Sequence, residues 1–297
     1  MLGEAVYGTL AQIATVKATD IDVNEPWLTY GDVRDYSAIS TMIRDFGPHV
    51  IVNLAALTDM EYCEKDPRNA WLTNALGAEN LGLIAAELGA VYVYICTAGI
   101  FDGCREYYTD FDQPNPLSVY AKSKYHGEVF TRERVPRCYV IRAGWMMGGG
   151  PRKDKKFINK LYKQILAGCT QLSVVRDKSG TPTYTWDFAS GMRRLLESDM
   201  YGVYNQVCEG SATRWDVARE FVRLLGLEQQ VGVKEVTSDF FREEYFAPRP
   251  ASEKLVNMKL TARSLNVMRD WRECLKEYCK VFIKHLNEVN NGVGNGS

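Results

Sequence analysis

The feature that most constrains this chain is an apolar stretch that ends at a hydroxyl-bearing residue. Residues Val91–Ile95 are β-branched or aromatic, a pattern typical of a buried strand, and the stretch reaches Thr97 where such a strand should end. In an open α/β sheet, ligands bind outside the carboxyl ends of the strands. The pattern therefore predicts that Thr97 faces a ligand site at that edge of a parallel sheet.

A phenol and an amine follow on the next predicted helix, with the spacing Tyr120-x-x-x-Lys124. Residues four apart share one face of a helix, so these two side chains should point into the same space. A nearby ammonium favours the phenolate, so we expect Lys124 to lower the pKa of Tyr120. Together with Thr97, such a phenol can hydrogen-bond a carbonyl oxygen and protonate it while a hydride reaches the carbon.

Thr97, Tyr120 and Lys124 resemble the Ser/Thr-Tyr-Lys set of the extended short-chain dehydrogenase/reductases, which act on nucleotide sugars. Within that branch, Ile95-Cys96-Thr97 followed by Phe101-Asp102-Gly103 resembles the dTDP-4-dehydrorhamnose reductases. The resemblance implies that NADPH or NADH delivers a hydride to C4 of a nucleotide-linked 4-keto-6-deoxy sugar. It also implies that Tyr120 donates the proton, that Thr97 polarises the carbonyl, and that Lys124 holds the nicotinamide ribose.

The order of strand and helix patterns, together with the resemblance, implies a Rossmann-like α/β fold with a doubly wound parallel sheet. We expect residues 1–150 to form the NAD(P)-binding domain, with segments from about 171–208 returning to it. Residues 151–287 should mainly form a smaller C-terminal substrate-binding lobe. Residues 288–297 are rich in Gly and Asn and should be disordered.

The beginning of the chain matches the second half of a dinucleotide-binding unit. A helical pattern spans Glu4–Gln12, and a short strand pattern then covers Ala14–Asp20. By resemblance to the family, Leu2 and Gly3 would end the glycine-rich turn that contacts the cofactor pyrophosphate. We therefore expect the first strand and the earlier glycines to lie upstream of Met1. The strands beside the missing one should then have unpaired edges.

Further cofactor contacts are expected at strand ends and turns. Asp20 ends the second predicted strand, where an acid often binds the adenosine ribose and favours NAD; Asp22 and a simple solvated acid are the alternatives. Small neutral residues at Ala55 and Ala56 suit a chain that passes close to a cofactor. For the helix residue Asn74, an ordinary polar position competes with a cofactor contact. By resemblance, the remaining contacts are Asp32, Val33, Leu57 and Asn74.

Four residues are expected to contact the nucleotide sugar: Phe101, Trp145, Lys156 and Arg249. Trp145, at a strand end, can pack a sugar ring against its face or be an ordinary core residue. Lys156 belongs to a basic turn that suits a nucleotide diphosphate, with a solvated turn as the alternative. Arg249 can bind a substrate phosphate or form a structural salt bridge.

Two positions depart from the family pattern. Ala98-Gly99 stand where the reductases usually have Asp-Tyr. The site therefore lacks one polar contact and one aromatic side chain that those enzymes have. The 4,6-dehydratases of the superfamily carry an acid pair here, so the sequence disfavours dehydration. Two other functions stay open: a nucleotide-sugar epimerase that retains NAD, and a non-catalytic regulatory subunit that binds a sugar nucleotide or NADP. Phe101-Asp102-Gly103 favours the reductase, and the persistent Thr-Tyr-Lys set argues against a pure scaffold.

The charge balance argues against whole classes of partner. Lys and Arg number 36 against 37 Asp and Glu, a net charge of -1, so nothing predicts a nucleic-acid-binding or membrane-binding surface. No apolar run reaches the roughly 20 residues of a membrane-spanning helix, and a cytoplasmic location is expected. The 8 cysteines are scattered and the 3 histidines lie far apart, so no metal site is expected. Assembly as a homodimer is left open.

Overall fold

The computed structural model describes the backbone of residues 1–293 and the side chains of residues 1–289. The strands are β1 Ala18–Asp20, β2 Leu28–Tyr30, β3 Val50–Asn53, β4 Val91–Thr97, β5 Cys138–Ala143, β6 Trp145–Met147, β7 Gln171–Val175, β8 Ser179–Gly180, β9 Pro182–Tyr184, β10 Gly202–Asn205, β11 Ala212–Thr213, β12 Gly232–Val236 and β13 Ser252–Glu253. The helices are α1 Leu2–Leu10, α2 Tyr36–Phe46, α3 Met60–Lys65, α4 Pro67–Trp71, α5 Gly77–Leu88, α6 Val119–Arg134, α7 Gly150–Lys153, α8 Phe157–Leu166, α9 Thr185–Leu196, α10 Arg214–Leu224, α11 Met258–Ala262 and α12 Trp271–Val293.

A four-stranded parallel sheet forms the centre of the molecule, in the order β10-β5-β4-β3. Strand β4 is deeply buried, because every residue from Val91 to Cys96 is at most 9 % exposed. Helices α5 and α6 pack on one face of the sheet, and α1 and α9 pack on the other. A parallel sheet with helices on both faces confirms the predicted α/β fold class.

The two amino-terminal strands form a separate pair. β1 pairs with β2, and β3 pairs with β4, but no ladder joins β1 to β3 within residues 1–293. β1 and β3 therefore each have one edge without a hydrogen-bonded neighbour, as the sequence predicts. The strand predicted over Ala14–Asp20 is correspondingly short and covers only Ala18–Asp20, because a single neighbour supports it.

A second hydrophobic core lies in the C-terminal half. Strands β7 and β12 pair in parallel there, and β8 pairs with both β11 and β13. Helices α8, α10 and α12 pack together through the buried aromatic side chains of Tyr162, Phe221, Trp271 and Phe282. Strand β10 then returns to the central sheet beside β5. Segments such as β10 therefore connect the two halves of the chain. The domain boundaries predicted from the sequence stay predictions.

The closing helix is longer than the sequence predicts. It continues to Val293 instead of ending near Asn287, so residues 288–293 are helical and do not begin a disordered tail. Leu286, close to the end of the predicted helix, still packs against the C-terminal core. The rest of the predicted tail, residues 294–297, lies outside the described residues.

Over residues 1–293, no helix has the length and apolar character that crossing a membrane requires. In the same part of the chain, no three residues of the His, Cys, Asp and Glu types cluster in a way that would hold a metal ion.

Candidate active site

The end of β4 and the start of α6 bring the predicted reacting residues together. Thr97 is the last residue of β4, and Tyr120 and Lys124 lie in the first two turns of α6. The helix begins directly before Tyr120 because Ser118 caps it, accepting a hydrogen bond from the Ala121 amide at 3.1 Å. This arrangement places the phenol of Tyr120 beside the hydroxyl of Thr97.

Tyr120 holds its proton in this environment. Burial raises the pKa of its phenol above the ordinary value, and the neighbouring Thr97 hydroxyl only partly opposes that rise. Burial is the largest effect and sets the net direction of the shift, and the expected lowering by Lys124 stays a prediction. The phenol carries the proton that a general acid must supply.

Lys124 is a buried cation on the same helix face. The residue is 3 % exposed, and its Nζ lies 4.3 Å from the centre of the Tyr94 ring. Burial lowers the pKa of its ammonium to about 8. No oxygen of the described residues accepts a hydrogen bond from this Nζ, so its three donors can serve a bound molecule.

Two asparagines hold the predicted cofactor segment formed by Ala55, Ala56 and Leu57. Asn53 accepts a hydrogen bond from the Ala55 amide at 3.0 Å. Asn74 accepts one from the Leu57 amide at 2.8 Å and donates to the Leu57 carbonyl at 3.0 Å. It also donates to the Ser123 hydroxyl on α6 at 3.0 Å. Asn74 is 1 % exposed, and its side chain positions the segment that would meet the cofactor; a direct cofactor contact of its own stays a prediction.

The acids predicted to bind the adenosine half of the cofactor differ in whether a carboxylate oxygen is left to accept a hydrogen bond from it. Asp20 and Asp22 are exposed, and one oxygen of Asp20 accepts a hydrogen bond from the Asp22 amide at 3.0 Å. Asp32 forms an ion pair with Arg34 at 2.6 Å, and this hydrogen bonding lowers the pKa of the Asp32 carboxyl. Asp20 therefore keeps an oxygen for a ribose hydroxyl, whereas Asp32 is engaged by the protein itself.

The first helix and Val33 complete the cofactor side. The Val33 carbonyl accepts a hydrogen bond from Asn80 at 2.8 Å, which fixes this turn. Helix α1 begins at Leu2, and no side chain caps its first amide groups, so they suit a pyrophosphate. Gly3 is loosely packed, since a Cβ there would meet only Leu54, at 4.0 Å. The uncapped helix and the Lys124 ammonium together fit a nicotinamide dinucleotide.

Phe101 does not line a cavity. It is fully buried, and its ring stacks on that of Tyr108 with the ring centres 4.2 Å apart. The Arg142 guanidinium lies 5.3 Å from the centre of the same ring. Core side chains therefore enclose this ring, and a contact between Phe101 and the substrate stays a prediction.

Trp145 is held on several sides by the protein. Its Nε1 donates a hydrogen bond to Glu253 at 2.6 Å, and the Arg214 guanidinium lies 3.7 Å from its ring centre. Gly180 packs so close to the indole that a Cβ at that position would come within 2.4 Å of the ring. The indole is therefore rigidly held and orients an acid and a cation, and its packing against a sugar ring stays a prediction.

Arg214 is a candidate that sequence reasoning missed. It is the first residue of α10, where the helix macrodipole disfavours a cation, and this unfavourable position is the signal that the sequence offers. Its guanidinium also lies 5.0 Å from the centre of the Phe157 ring, and burial lowers its pKa to about 10. No carboxylate of the described residues lies within ion-pair distance of the guanidinium. Glu253, which lies beyond that distance, raises its pKa and so partly opposes the effect of burial. Such a guanidinium suits an anionic ligand.

The two substrate cations that the sequence does predict, Lys156 and Arg249, have protein partners. Lys156 donates a hydrogen bond to the Thr58 hydroxyl at 2.7 Å, and burial lowers the pKa of its ammonium. Arg249 forms an ion pair with Glu61 at 2.7 Å and donates to the Ala247 carbonyl at 3.0 Å. For Arg249, the structure thus contains the structural salt bridge, which was one of the two predicted alternatives.

Known proteins resemble this chain in sequence over most of its length. A family model described as the RmlD substrate binding domain matches residues 1–283. A dTDP-4-dehydrorhamnose reductase from Sinorhizobium fredii is 30 % identical over 283 residues, covering 91 % of this chain and 94 % of that protein.

Two solved structures are similar to this fold over nearly its whole length. A dTDP-4-dehydrorhamnose reductase from Clostridium acetobutylicum has a TM-score of 0.83 and 30 % sequence identity, with 95 % of each chain covered. Another, from Bacillus anthracis in complex with NADP, has a TM-score of 0.80 and 26 % identity, covering 94 % of this chain and 95 % of that chain. With its Thr-Tyr-Lys set in place, the chain therefore belongs to the dTDP-4-dehydrorhamnose reductase family.

Proposed function

We propose that this protein is an NAD(P)H-dependent reductase of a nucleotide-linked 4-keto-6-deoxy sugar. The observation that carries the proposal is the enclosed set of Thr97, Tyr120 and Lys124 at the carboxyl end of β4, in which the phenol holds its proton. Relatives named dTDP-4-dehydrorhamnose reductase support the same reaction. In that reaction the ketone gains one hydride and one proton and becomes a secondary alcohol.

The residues divide the work at the reacting oxygen. The reduced nicotinamide, when bound, supplies the hydride for C4 of the sugar. Tyr120 gives its phenol proton to the former ketone oxygen. Thr97 Oγ1 accepts a hydrogen bond from the Gly99 amide at 3.1 Å, which orients the hydroxyl beside Tyr120; with substrate bound, its proton would stabilise negative charge on that oxygen. The Lys124 ammonium stabilises the phenolate that remains after proton transfer.

Two cations are proposed to bind the nucleotide diphosphate. Arg214 has no carboxylate partner in the described part of the chain, and a guanidinium can hold a phosphate through two parallel hydrogen bonds. Lys156 has one N–H donor left beyond the two that the Thr58 hydroxyl and carbonyl accept. A cytoplasmic location and assembly as a homodimer stay predictions from the sequence.

Replacing Arg214 with alanine should raise the KM for the nucleotide sugar by roughly 10- to 100-fold, because a hydrogen bond to a charged group contributes about 1.5–3 kcal/mol. The kcat should change little, since the diphosphate is held equally in the ground state and in the transition state. Steady-state kinetics at saturating cofactor measure both constants.

Arg219→Ala is the matched control for this prediction. Arg219 lies on the same helix, is exposed, and rests 4.6 Å from the centre of the Trp215 ring. Its removal should leave the KM unchanged. A fall in kcat with an unchanged KM in the Arg214 variant would contradict the role assigned to the guanidinium.

The reductase proposal is tested by incubating the protein with dTDP-4-dehydrorhamnose and following the consumption of NADPH and of NADH. The expected result is net oxidation of the cofactor, with one sugar alcohol formed for each cofactor consumed. Interconversion of sugar epimers without net oxidation would identify an epimerase instead. Binding of the cofactor with neither reaction would identify a regulatory subunit.

A further inference from the structure

An acid from the C-terminal lobe reaches the two positions where the chain departs from its family. Gly99 lies in a buried turn directly after Thr97. A Cβ on Gly99 would come within 3.3 Å of Glu253 Oε1 and within 3.5 Å of Thr97 Oγ1. The Glu253 carboxylate and the Thr97 hydroxyl therefore converge on one point, in space that a larger side chain at residue 99 would fill.

The fold fixes Glu253 in this position. Glu253 belongs to β13, where it pairs in parallel register with Gly180, the residue that packs against the indole of Trp145. Its Oε2 accepts the hydrogen bond from Trp145 Nε1 at 2.6 Å. Its other oxygen, Oε1, accepts no hydrogen bond from the described residues, and no cation of that part of the chain lies within ion-pair distance of the carboxylate. One oxygen is thus anchored, and the other faces the Thr97 side.

We propose that Glu253 is a specificity-determining residue whose Oε1 accepts a hydrogen bond from a donor on the sugar carbon beside the reacting ketone. The inference rests on the proposed function, because it places the ketone oxygen at Thr97. A carboxylate only accepts hydrogen bonds, so the donor is a hydroxyl or an amine. In a 4-keto-6-deoxy sugar, C3 is the neighbouring carbon that carries such a group. The same carboxylate repels substrates with an anionic group there.

The competing explanation is that Glu253 merely holds Trp145 in place. Glu253→Gln separates the two roles, because the amide oxygen still accepts from the indole while the amide NH2 now faces the sugar and cannot accept a hydrogen bond. A direct contact predicts that this variant fails toward a substrate with a donor at C3. A purely structural role predicts that it behaves like the wild type.

The test compares kcat/KM for nucleotide-linked 4-keto-6-deoxy sugars that differ only at C3, where they carry a hydroxyl, an amine or a hydrogen. Glu253→Gln should lower kcat/KM by roughly 10- to 100-fold for the substrate whose C3 group donates the hydrogen bond and leave the 3-deoxy substrate within about twofold. Glu253→Ala should lower kcat/KM for the donor substrate at least as much, and because it also removes the bond to Trp145 it should lower the value for the 3-deoxy substrate as well. If the wild type prefers the hydroxyl substrate and Glu253→Gln abolishes that preference, the donor is a hydroxyl. The same result with the amine substrate identifies an amine. Glu106→Gln, a nearby exposed carboxylate, should change neither value.

If Glu253→Gln lowers kcat/KM equally for all three sugars, or for none of them, the inference is overturned and the proposed function stays intact. If the wild type reduces none of the sugars, the proposed function fails and the inference fails with it. If Glu253→Ala does not fold, Glu253→Gln alone gives the comparison, because it preserves the bond to Trp145.

Discussion

Replacing Tyr120 with phenylalanine will lower kcat by roughly 10²- to 10⁴-fold, the contribution typical of a positioned general acid. The change removes one oxygen and its proton from a buried site and leaves the ring in place. Burial raises the pKa of this phenol, so the wild-type side chain carries the proton throughout the neutral range. The measurement is kcat at saturating cofactor and sugar.

The matched control for Tyr120 is Tyr125→Phe on the same helix. The Tyr125 hydroxyl is directed to the surface, where it accepts a hydrogen bond from Gln113 at 3.3 Å. Its removal should leave kcat within about twofold, because the group lies outside the proton path. A loss of less than about fivefold in Tyr120→Phe would remove Tyr120 from the role of general acid.

Replacing Glu128 with alanine will lower the free energy of unfolding by about 3–5 kcal/mol, because it leaves a buried guanidinium without its counter-charge. Glu128 on α6 accepts hydrogen bonds from Arg142 on β5 at 2.5 and 3.0 Å, and both side chains are almost completely buried. The pair joins the helix that carries Tyr120 to the central sheet. Urea unfolding of the purified variant measures the loss.

Two further variants make the Glu128 prediction specific. Arg132→Ala removes an exposed cation 3.7 Å from Glu128 and should cost less than about 1 kcal/mol, as surface pairs do. The double variant Glu128→Leu with Arg142→Met should regain much of the stability, because apolar side chains of similar size often replace a buried pair without loss. A cost below about 1 kcal/mol for Glu128→Ala would show that the buried pair is not what joins α6 to the sheet.

The reacting residues could be predicted from the sequence because local patterns determine their places. An apolar run that ends at Thr97 makes a buried strand, and a spacing of four puts Tyr120 and Lys124 on one helix face. Residues in successive elements of a parallel sheet then meet at its carboxyl edge. The α/β class follows from the same patterns, and the structure confirms it.

The substrate side was harder to predict because distant partners decide the role of each residue. Arg249 forms an ion pair with Glu61, which lies far away in the sequence, and no local pattern indicates that pairing. Phe101 is enclosed by Tyr108 and Arg142 once the loop folds back on the core. Arg214 and Glu253 come together only through Trp145. The pKa of Tyr120 likewise depends on burial, which spacing alone does not reveal.

The most direct test of the central claim is the fate of the hydride. The protein is incubated with dTDP-4-dehydrorhamnose and NADPH that carries deuterium at the transferable position of its nicotinamide, and the product is examined by NMR. The reductase account predicts deuterium at C4 of the sugar in proportion to the NADPH consumed, and almost no transfer in Tyr120→Phe. Product without deuterium at C4, or full transfer in that variant, would contradict the account.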